Sequence, residues 1–371
     1  MQFKFQIGTK ILFGRNCIKE NKAEFPKYGK RALIVTGKSS GKASGALDVC
    51  MDVLKEQGID YLVYDRVGNN PSLENVKDGG RTASSFNAEF IIGIGGGSPL
   101  DAAKAIAVLA VNDIEPLELY KNVFAEKPLP VLAIPTTAGT GSEVTPYSIL
   151  TRIDMQTKMS FGNEDTFPKI AFIDAQYTES LPYQVAVDTA VDAMSHAVEG
   201  YLSKRSTPVS DIFAVEAVDM FGKCIQSLLE NNIDYDTREK LLYMSTLGGM
   251  VIAHTGTTIV HGMGYSLTYF KGIPHGRANG LLMKEYFKFN YGLSKYKIDN
   301  IMKFLNIKDI DGFGAVMDSL LHTDEKFTEQ ELKLFASIAM KQRSTSYNIR
   351  SVKEEDLVYI MKMSLNGGFQ S

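Results

Sequence analysis

Four residues in the C-terminal half carry the side-chain types that ligate a divalent transition metal: Asp192, His196, His261 and His275. Asp192 and His196 stand four apart in the helix-like run TAVDAMSHAVEGYL, so both side chains project from one helix face, one turn apart. His261 and His275 follow in IVHGMGYSLTYFKGIPHGRANG, each directly before a glycine. Three of the chain's 5 histidines are gathered here. One carboxylate and three imidazoles make a donor set suited to iron, zinc or a similar ion. The Asp192/His196 pair alone is weak support. With 43 acidic residues in 371, about one helical carboxylate–histidine pair is expected from composition, and a helix-face ion pair would look the same.

The stretch that carries these residues reads as helix throughout. LPYQVAVDTAVDAMSHAVEGYLS, PVSDIFAVEAVDMFGKCIQSLLE and TREKLLYMSTLGGMVIAHTG are long and periodic near 3.6, and segments 311–322, 328–341 and 353–363 look similar. No strand-like alternation recurs after about Asp174, so an all-α C-terminal half is expected. The first half has a different grammar. RALIVTG, IDYLVYDRV, EFIIGIGGG, LPVLAIPTT and KIAFID are short apolar runs separated by helical stretches. That pattern predicts buried, mostly parallel strands of a doubly wound α/β sheet. The boundary is expected in 175–182, where Pro182 suits a helix start, giving an α/β domain 1–178 and a helical domain 179–371. The opening FKFQIGTKILFG alternates and predicts an edge hairpin, which invites pairing with a second subunit.

Two loops of the first half could hold a nucleotide. In EFIIGIGGGSPLDAAKAIAVL a buried strand runs into Gly95, Gly96, Gly97 and Ser98 and then into a helix. Ser98 suits the N-cap, Pro99 the first helical position and Asp101 the capping box. Glycines let the backbone approach a bulky anion, and the helix N-terminus offers free N–H groups to a pyrophosphate. The pattern is neither GxGxxG at a chain start nor GxxxxGK[ST]; a turn that serves chain geometry alone is the alternative. Lys104 reads as a solvated helix residue within reach of an anion. IPTTAGTGSEVT sets the hydroxyls of Thr136, Thr137, Thr140, Ser142 and Thr145 around Gly139 and Gly141, a loop able to follow a phosphate or ribose. The TG at 36–37 and NPS at 70–72 close strand-like runs, where ligands of open α/β sheets bind.

Composition is that of an ordinary globular protein, long enough for two domains. A net charge of −3 points to neither nucleic acid nor an anionic membrane as partner. The start lacks the apolar run of a signal peptide, and no stretch reaches the ~18 apolar residues of a membrane span. The cysteines Cys17, Cys50 and Cys224 are far apart and outside any CxxC pattern. They argue against a disulfide framework or thiolate zinc site and fit the cytoplasm.

GGGSPLDAAK, PTTAGTGSEVT, DAMSH and HG…PHG, in this order, resemble the iron-containing (group III) alcohol dehydrogenases, a family of the dehydroquinate-synthase-like fold. The resemblance covers nearly the whole chain. It implies an α/β nucleotide domain and a helical domain, with a nicotinamide cofactor and a metal meeting in the cleft between them. Asp192, His196, His261 and His275 match the family's metal ligands, and Gly95, Gly96, Gly97 and Ser98 its pyrophosphate loop. Thr136, Thr137 and Thr140 match the second cofactor loop, Asn70 the adenosine side, and Lys158 in DMQTKMS a lysine that reaches the cofactor ribose. A solvated strand-end lysine is the alternative for Lys158. The implied activity is metal-dependent, NAD(P)-linked interconversion of a small alcohol and its aldehyde. The substrate oxygen is polarised by the metal, and hydride passes to or from nicotinamide C4. The donor set favours Fe2+, with Zn2+ or another divalent ion able to take the site. A homodimer or higher homo-oligomer is expected.

Two positions refine this reading. Many NAD-preferring relatives carry Asp where this chain has Gly37. Gly37-Lys38-Ser39-Ser40 lacks a carboxylate and adds one cation and two hydroxyls, which favours NADP(H) over NAD(H). Many relatives also carry a histidine four residues after the third ligand, where this chain has Tyr265. A phenol with an ordinary pKa of about 10 is a poor base at neutral pH, so Tyr265 is read as shaping the pocket, with a proton-relay role the alternative. His254 could share the helix of His261 and is read as structural; His322 is expected in a remote helix, exposed. Pocket walls are expected from Phe161, the Tyr147 region and 265–270. Competing readings are a glycerol- or polyol-type dehydrogenase, a dehydroquinate-synthase-type lyase and a non-enzymatic nucleotide-binding module.

Overall fold

Eight strands form in the first half of the chain: β1 (Lys10–Phe13), β2 (Arg31–Gly37), β3 (Asp60–Val67), β4 (Phe90–Gly95), β5 (Val131–Pro135), β6 (Ser148–Arg152), β7 (Thr157–Phe161) and β8 (Ile170–Ile173). The computed structural model describes residues 2–365. Its contacts divide the chain into two compact units, Gln6–Leu181 and a second made of 182–365 with 2–5.

In the first unit six strands line up in the order β1-β8-β5-β4-β2-β3, with every registered pair parallel. Alternate residues face opposite sides of such a sheet, and here both sides are apolar. Ile34, Ile92, Ile94, Leu132 and Phe172 pack with Cys50 and Leu54 on one side. Leu33, Val35 and Ile91 pack with Ala102, Ala103 and Ile106 on the other. Helices Ala46–Glu56 and Gly97–Leu109 supply these covering residues. Each fully buried Ile, Leu or Phe stabilises the sheet by about 1.5–3 kcal/mol. The doubly wound parallel sheet expected from the short apolar runs is therefore present.

Two departures have local causes. The predicted N-terminal hairpin is absent: residues 2–8 form no strand, and β1 alone pairs, parallel, with β8. The free edge of β8 supplies the backbone partners that a hairpin would have supplied. Phe5 belongs to the other unit, where its ring stacks on His254 at 3.9 Å and on Phe213 at 5.5 Å. The second departure is an antiparallel hairpin, β6–β7, that apolar periodicity did not reveal. Its turn runs through Ile153–Met155 to Gln156, which takes a left-handed conformation (φ 51).

The second unit is helical, and no strand element occurs in it among the described residues. Its helices are Tyr183–Tyr201, Pro208–Leu229, Tyr235–Thr255, Ile259–Lys271, His275–Phe304, Ile310–Leu320, Glu329–Met340 and Glu354–Leu365. Several starts are fixed by local caps. Thr207 forms a capping box with Ser210, with Pro208 in the first turn, and Thr328 forms one with Glu331. Gly256, at φ 64, ends the helix that carries His254, so His254 and His261 lie on separate helices. The predicted helix at 311–322 stops at Leu320, because Leu321 is extended; His322 follows it in a loop, exposed. No helix among the described residues is long and apolar enough to cross a membrane.

Candidate metal centre and nucleotide loops

Three helices of the second unit bring three of the four sequence-identified ligands together. Asp192 sits inside Tyr183–Tyr201, His261 in the first turn of Ile259–Lys271, and His275 at the first position of His275–Phe304. Asp192 and His261 are buried. Asp192 Oδ1 lies 3.7 Å from His261 Nε2 and 3.9 Å from His275 Nε2. One donor atom from each residue lies within 4.8 Å of the other two. The glycine after His275 permits this approach: a Cβ on Gly276 would lie 1.8 Å from the Asp188 carbonyl oxygen and 2.9 Å from Asp192 Cβ. Arg277 then holds the junction, its guanidinium donating to both Asp188 carboxylate oxygens at 3.0 Å.

His196 stands beside this triad rather than in it. Its buried ring stacks on His261 with centroids 4.7 Å apart. Tyr265 stacks face to face on His275 at 5.1 Å and meets His261 edge-on at 6.3 Å.

Two polar residues at the site escaped sequence reading. Asn279, one turn after His275, donates from Nδ2 to Asp192 Oδ1 at 2.9 Å and approaches His261 Nε2 and His275 Nε2 at 3.3 and 3.4 Å. Its own Oδ1 is buried without a hydrogen-bond partner. Glu199 is fully buried. One of its oxygens accepts from Thr258 N (2.8 Å), Thr258 Oγ1 (2.6 Å) and Val260 N (3.0 Å), and the other meets His261 Nδ1. It thus caps a helix whose own N-cap, Thr258, makes no side-chain cap bond. Burial opposes the charged form of Glu199, but the His261 imidazole and the Thr258 donors outweigh it and hold the carboxyl below its usual range. Both residues had a sequence signal. Asp192, His196 and Glu199 follow i, i+4, i+7 spacing, and His275 and Asn279 follow i, i+4. A buried carboxylate and imidazole nitrogens converging on one point fit a divalent transition metal.

In the first unit, the carboxyl ends of neighbouring strands gather the predicted nucleotide residues. β4 runs directly into Gly96, the N-cap of Gly97–Leu109, and no side chain caps that helix. The expected N-cap role of Ser98 is therefore displaced by two positions. Ser98 Oγ instead accepts from Asn70 N at 3.1 Å, tying the end of β3 to this turn. Thr136 N donates to Gly95 O at 3.0 Å, and Thr137 and Thr140 lie against Gly96 and Gly97. Gly37 ends β2 with Ser40 Oγ and Pro99 Cγ close by, while Lys38, Ser39 and Ser40 are exposed. Lys158 is buried in β7 opposite Thr151, whose N and Oγ1 donate to Pro71 O (2.9 Å) and Asn70 O (3.0 Å). The solvated strand-end reading of Lys158 is excluded by its burial.

Lys104 also departs from expectation: it is buried, not solvated. Its ammonium donates to Ser142 Oγ (2.7 Å), Tyr147 O (2.6 Å) and Thr145 Oγ1 (3.4 Å). Asp101, expected in a capping box, accepts from Ser142 Oγ (2.5 Å) and Ile149 N (3.1 Å). Burial pushes Lys104 down to about 8, against the pull of Asp101 and Glu143. These two residues lash the 136–149 loop to the helix. Phe161, expected in a pocket wall, lies in the core edge-on to Tyr120 and Phe124, because its strand packs against the Pro116–Lys121 turn.

The profile of iron-containing alcohol dehydrogenases matches residues 8–175, and that of the C-terminal region of the same family matches 186–365. Alcohol dehydrogenase 4 of Schizosaccharomyces pombe is 35% identical over 77% of this chain and 68% of its own length. The 1,3-propanediol dehydrogenase of Klebsiella pneumoniae is 31% identical over 92% of this chain and 86% of its own. The crystal structure of an iron-containing alcohol dehydrogenase from Thermotoga maritima superposes with a TM-score of 0.91 at 36% identity, covering 98% of this chain and 99% of that one. With the parallel sheet, the helical half and the buried carboxylate–imidazole cluster in place, the chain belongs to the iron-containing alcohol dehydrogenases, metal-dependent enzymes that couple alcohol or aldehyde substrates to a nicotinamide cofactor.

Proposed function

We propose that this chain is an NADP(H)-preferring enzyme that interconverts a small alcohol and its aldehyde, with Fe2+ held by Asp192, His196, His261 and His275. The convergence of Asp192, His261 and His275 within 4.8 Å carries this reading. A divalent ion there would supply Lewis acidity toward the substrate oxygen. His196, stacked on His261, is the fourth donor of the set. Tyr265 lines the site against His275 and shapes it.

Gly95, Gly96, Gly97 and Ser98 receive the pyrophosphate at the uncapped start of Gly97–Leu109. Thr136, Thr137 and Thr140 form the second wall, Asn70 lies on the adenosine side, and Lys158 serves the ribose. The stretch Gly37-Lys38-Ser39-Ser40 contains no carboxylate to repel a 2′-phosphate, which supports NADP(H). Relatives are named for each cofactor, among them an NADPH-dependent butanol dehydrogenase of Clostridium saccharobutylicum and a probable NADH-dependent one of Bacillus subtilis. Butanol, 1,3-propanediol and lactaldehyde in relatives' names support a short-chain substrate. The open edge of β1 supports a homodimer or higher homo-oligomer. Three buried free cysteines support a cytoplasmic location.

Replacing His196 or His261 by Ala is expected to abolish stoichiometric metal and aldehyde-dependent NADPH oxidation together. Metal analysis and nicotinamide absorbance read the two outcomes, and a variant that keeps its metal would overturn the ligand assignment.

A further inference from the structure

Metal ligation by an imidazole requires that the ligating nitrogen carry a lone pair, and which nitrogen does so is set by the partner of the other. His261 has a carboxylate behind it and the other donors in front of it. Its Nδ1 meets Glu199, and its Nε2 lies 3.7 Å from Asp192 Oδ1. Asn279 Nδ2 approaches Nε2 from the same side at 3.3 Å. An ionised carboxylate only accepts, so the Glu199 contact calls for a proton on Nδ1. The carboxylate behind the ring thus sets the proton position, and Nε2 is the nitrogen that faces Asp192 Oδ1 and Asn279 Nδ2.

We propose that Glu199 is a positioning residue that keeps the His261 proton on Nδ1 and so leaves Nε2 open toward Asp192 and His275. This rests on the metal-centre reading above and extends it to a residue outside the ligand set. Glu199 cannot turn easily. One of its oxygens is committed to Thr258 N, Thr258 Oγ1 and Val260 N, which leaves the other facing the imidazole. Glu199 lies on Tyr183–Tyr201 with Asp192 and His196, so one helix carries two ligands and the group that sets the proton on a third.

Glu199→Gln separates this role from packing. The glutamine oxygen keeps the three bonds at the helix start, and its NH2 group then faces Nδ1. His261 must accept there, which moves its proton to Nε2. With only 5 histidines in the chain, imidazole 15N NMR of metal-free, histidine-labelled protein can resolve each ring, with His261→Ala providing the assignment. The wild type should show His261 protonated on Nδ1. Glu199→Gln should show the proton on Nε2, bind Co2+ about 10–100-fold more weakly in competition with a chelator, and alter the Co2+ visible spectrum. Thr258→Val is the packing control: it removes one bond to Glu199 and keeps the carboxylate, so the tautomer should stay. A wild-type Nε2–H tautomer, unchanged Co2+ affinity in Glu199→Gln, or an equal loss in Thr258→Val would each overturn the proposal. A wild type with the Nδ1–H tautomer that binds no Co2+ would overturn the metal reading and uphold the role of Glu199.

Discussion

Thr140 occupies the space that a side chain on Gly97 would need. A Cβ at position 97 would lie 2.6 Å from Thr140 Cγ2. The glycine turn and the threonine loop therefore form one continuous surface, and the glycine is there for close approach.

Gly97→Ala should force these loops apart at a cost of about 1–3 kcal/mol. We expect NADPH to bind about tenfold more weakly, measured by fluorescence titration. Unchanged affinity would show that the two loops do not jointly receive the cofactor.

Gly37→Asp tests the cofactor preference. A Cβ there would sit 3.1 Å from Ser40 Oγ and 3.6 Å from Val67 O, so a small shift of the serine admits the side chain. The new carboxylate should repel a 2′-phosphate and accept from a ribose hydroxyl. The kcat/KM ratio of NADPH to NADH should fall by at least about tenfold. A ratio that does not move would refute the assignment.

Lys104→Met should be strongly destabilising although it conserves volume. It strips Asp101 of its cation inside the core, and removing one partner of a buried pair costs about 3–5 kcal/mol. Urea unfolding should show the loss. Adding Asp101→Asn, which removes the unpaired charge, should recover part of it; additive losses would rule out a coupled pair.

Acid stability should depend on Glu331. Lys271 at 2.7 Å and the N–H of Thr328 at 2.8 Å hold its carboxyl down to about 2. A carboxyl depressed on folding stabilises above its unfolded value of about 4.5, and the contribution fades as pH falls toward 2. The side chain is 34% exposed, so screening reduces the effect to about 1 kcal/mol. Glu331→Gln should lose that much at pH 7 and match the wild type near pH 2. A constant difference across that range would exclude a charge effect.

The sheet, the helical half and both glycine- and threonine-rich loops were legible in the sequence because each rests on local pattern. Val35 and Ile92 announce a two-sided buried strand, and Gly95-Gly96-Gly97 announces a close approach. What escaped depends on distant partners. Lys104 looked solvated because its acceptors, Ser142 and Tyr147, lie roughly 40 residues away and only the folded loop supplies them. Glu199 drew no reading, since its partner Thr258 stands at the N-cap of another helix, 59 residues away. The β6–β7 hairpin was missed because its strands are short and its turn lacks an Asn-Gly or Asp-Gly signal. The expected N-terminal hairpin failed for the opposite reason: alternation marks a strand but does not name its partner.

The pairing of β1 with β8 has a consequence for how the protein is made. The first strand leaves the ribosome with no neighbour, and its ladder partner ends at Ile173, 160 residues after Phe13. At about 5–20 residues per second, synthesis of that interval takes roughly 8–30 seconds. Throughout that time the nascent chain carries an unmatched strand and, later, an uncovered edge at β5. Such edges recruit other chains, so mutations that weaken β8 should lower the yield of newly made protein more than they lower the stability of protein already folded.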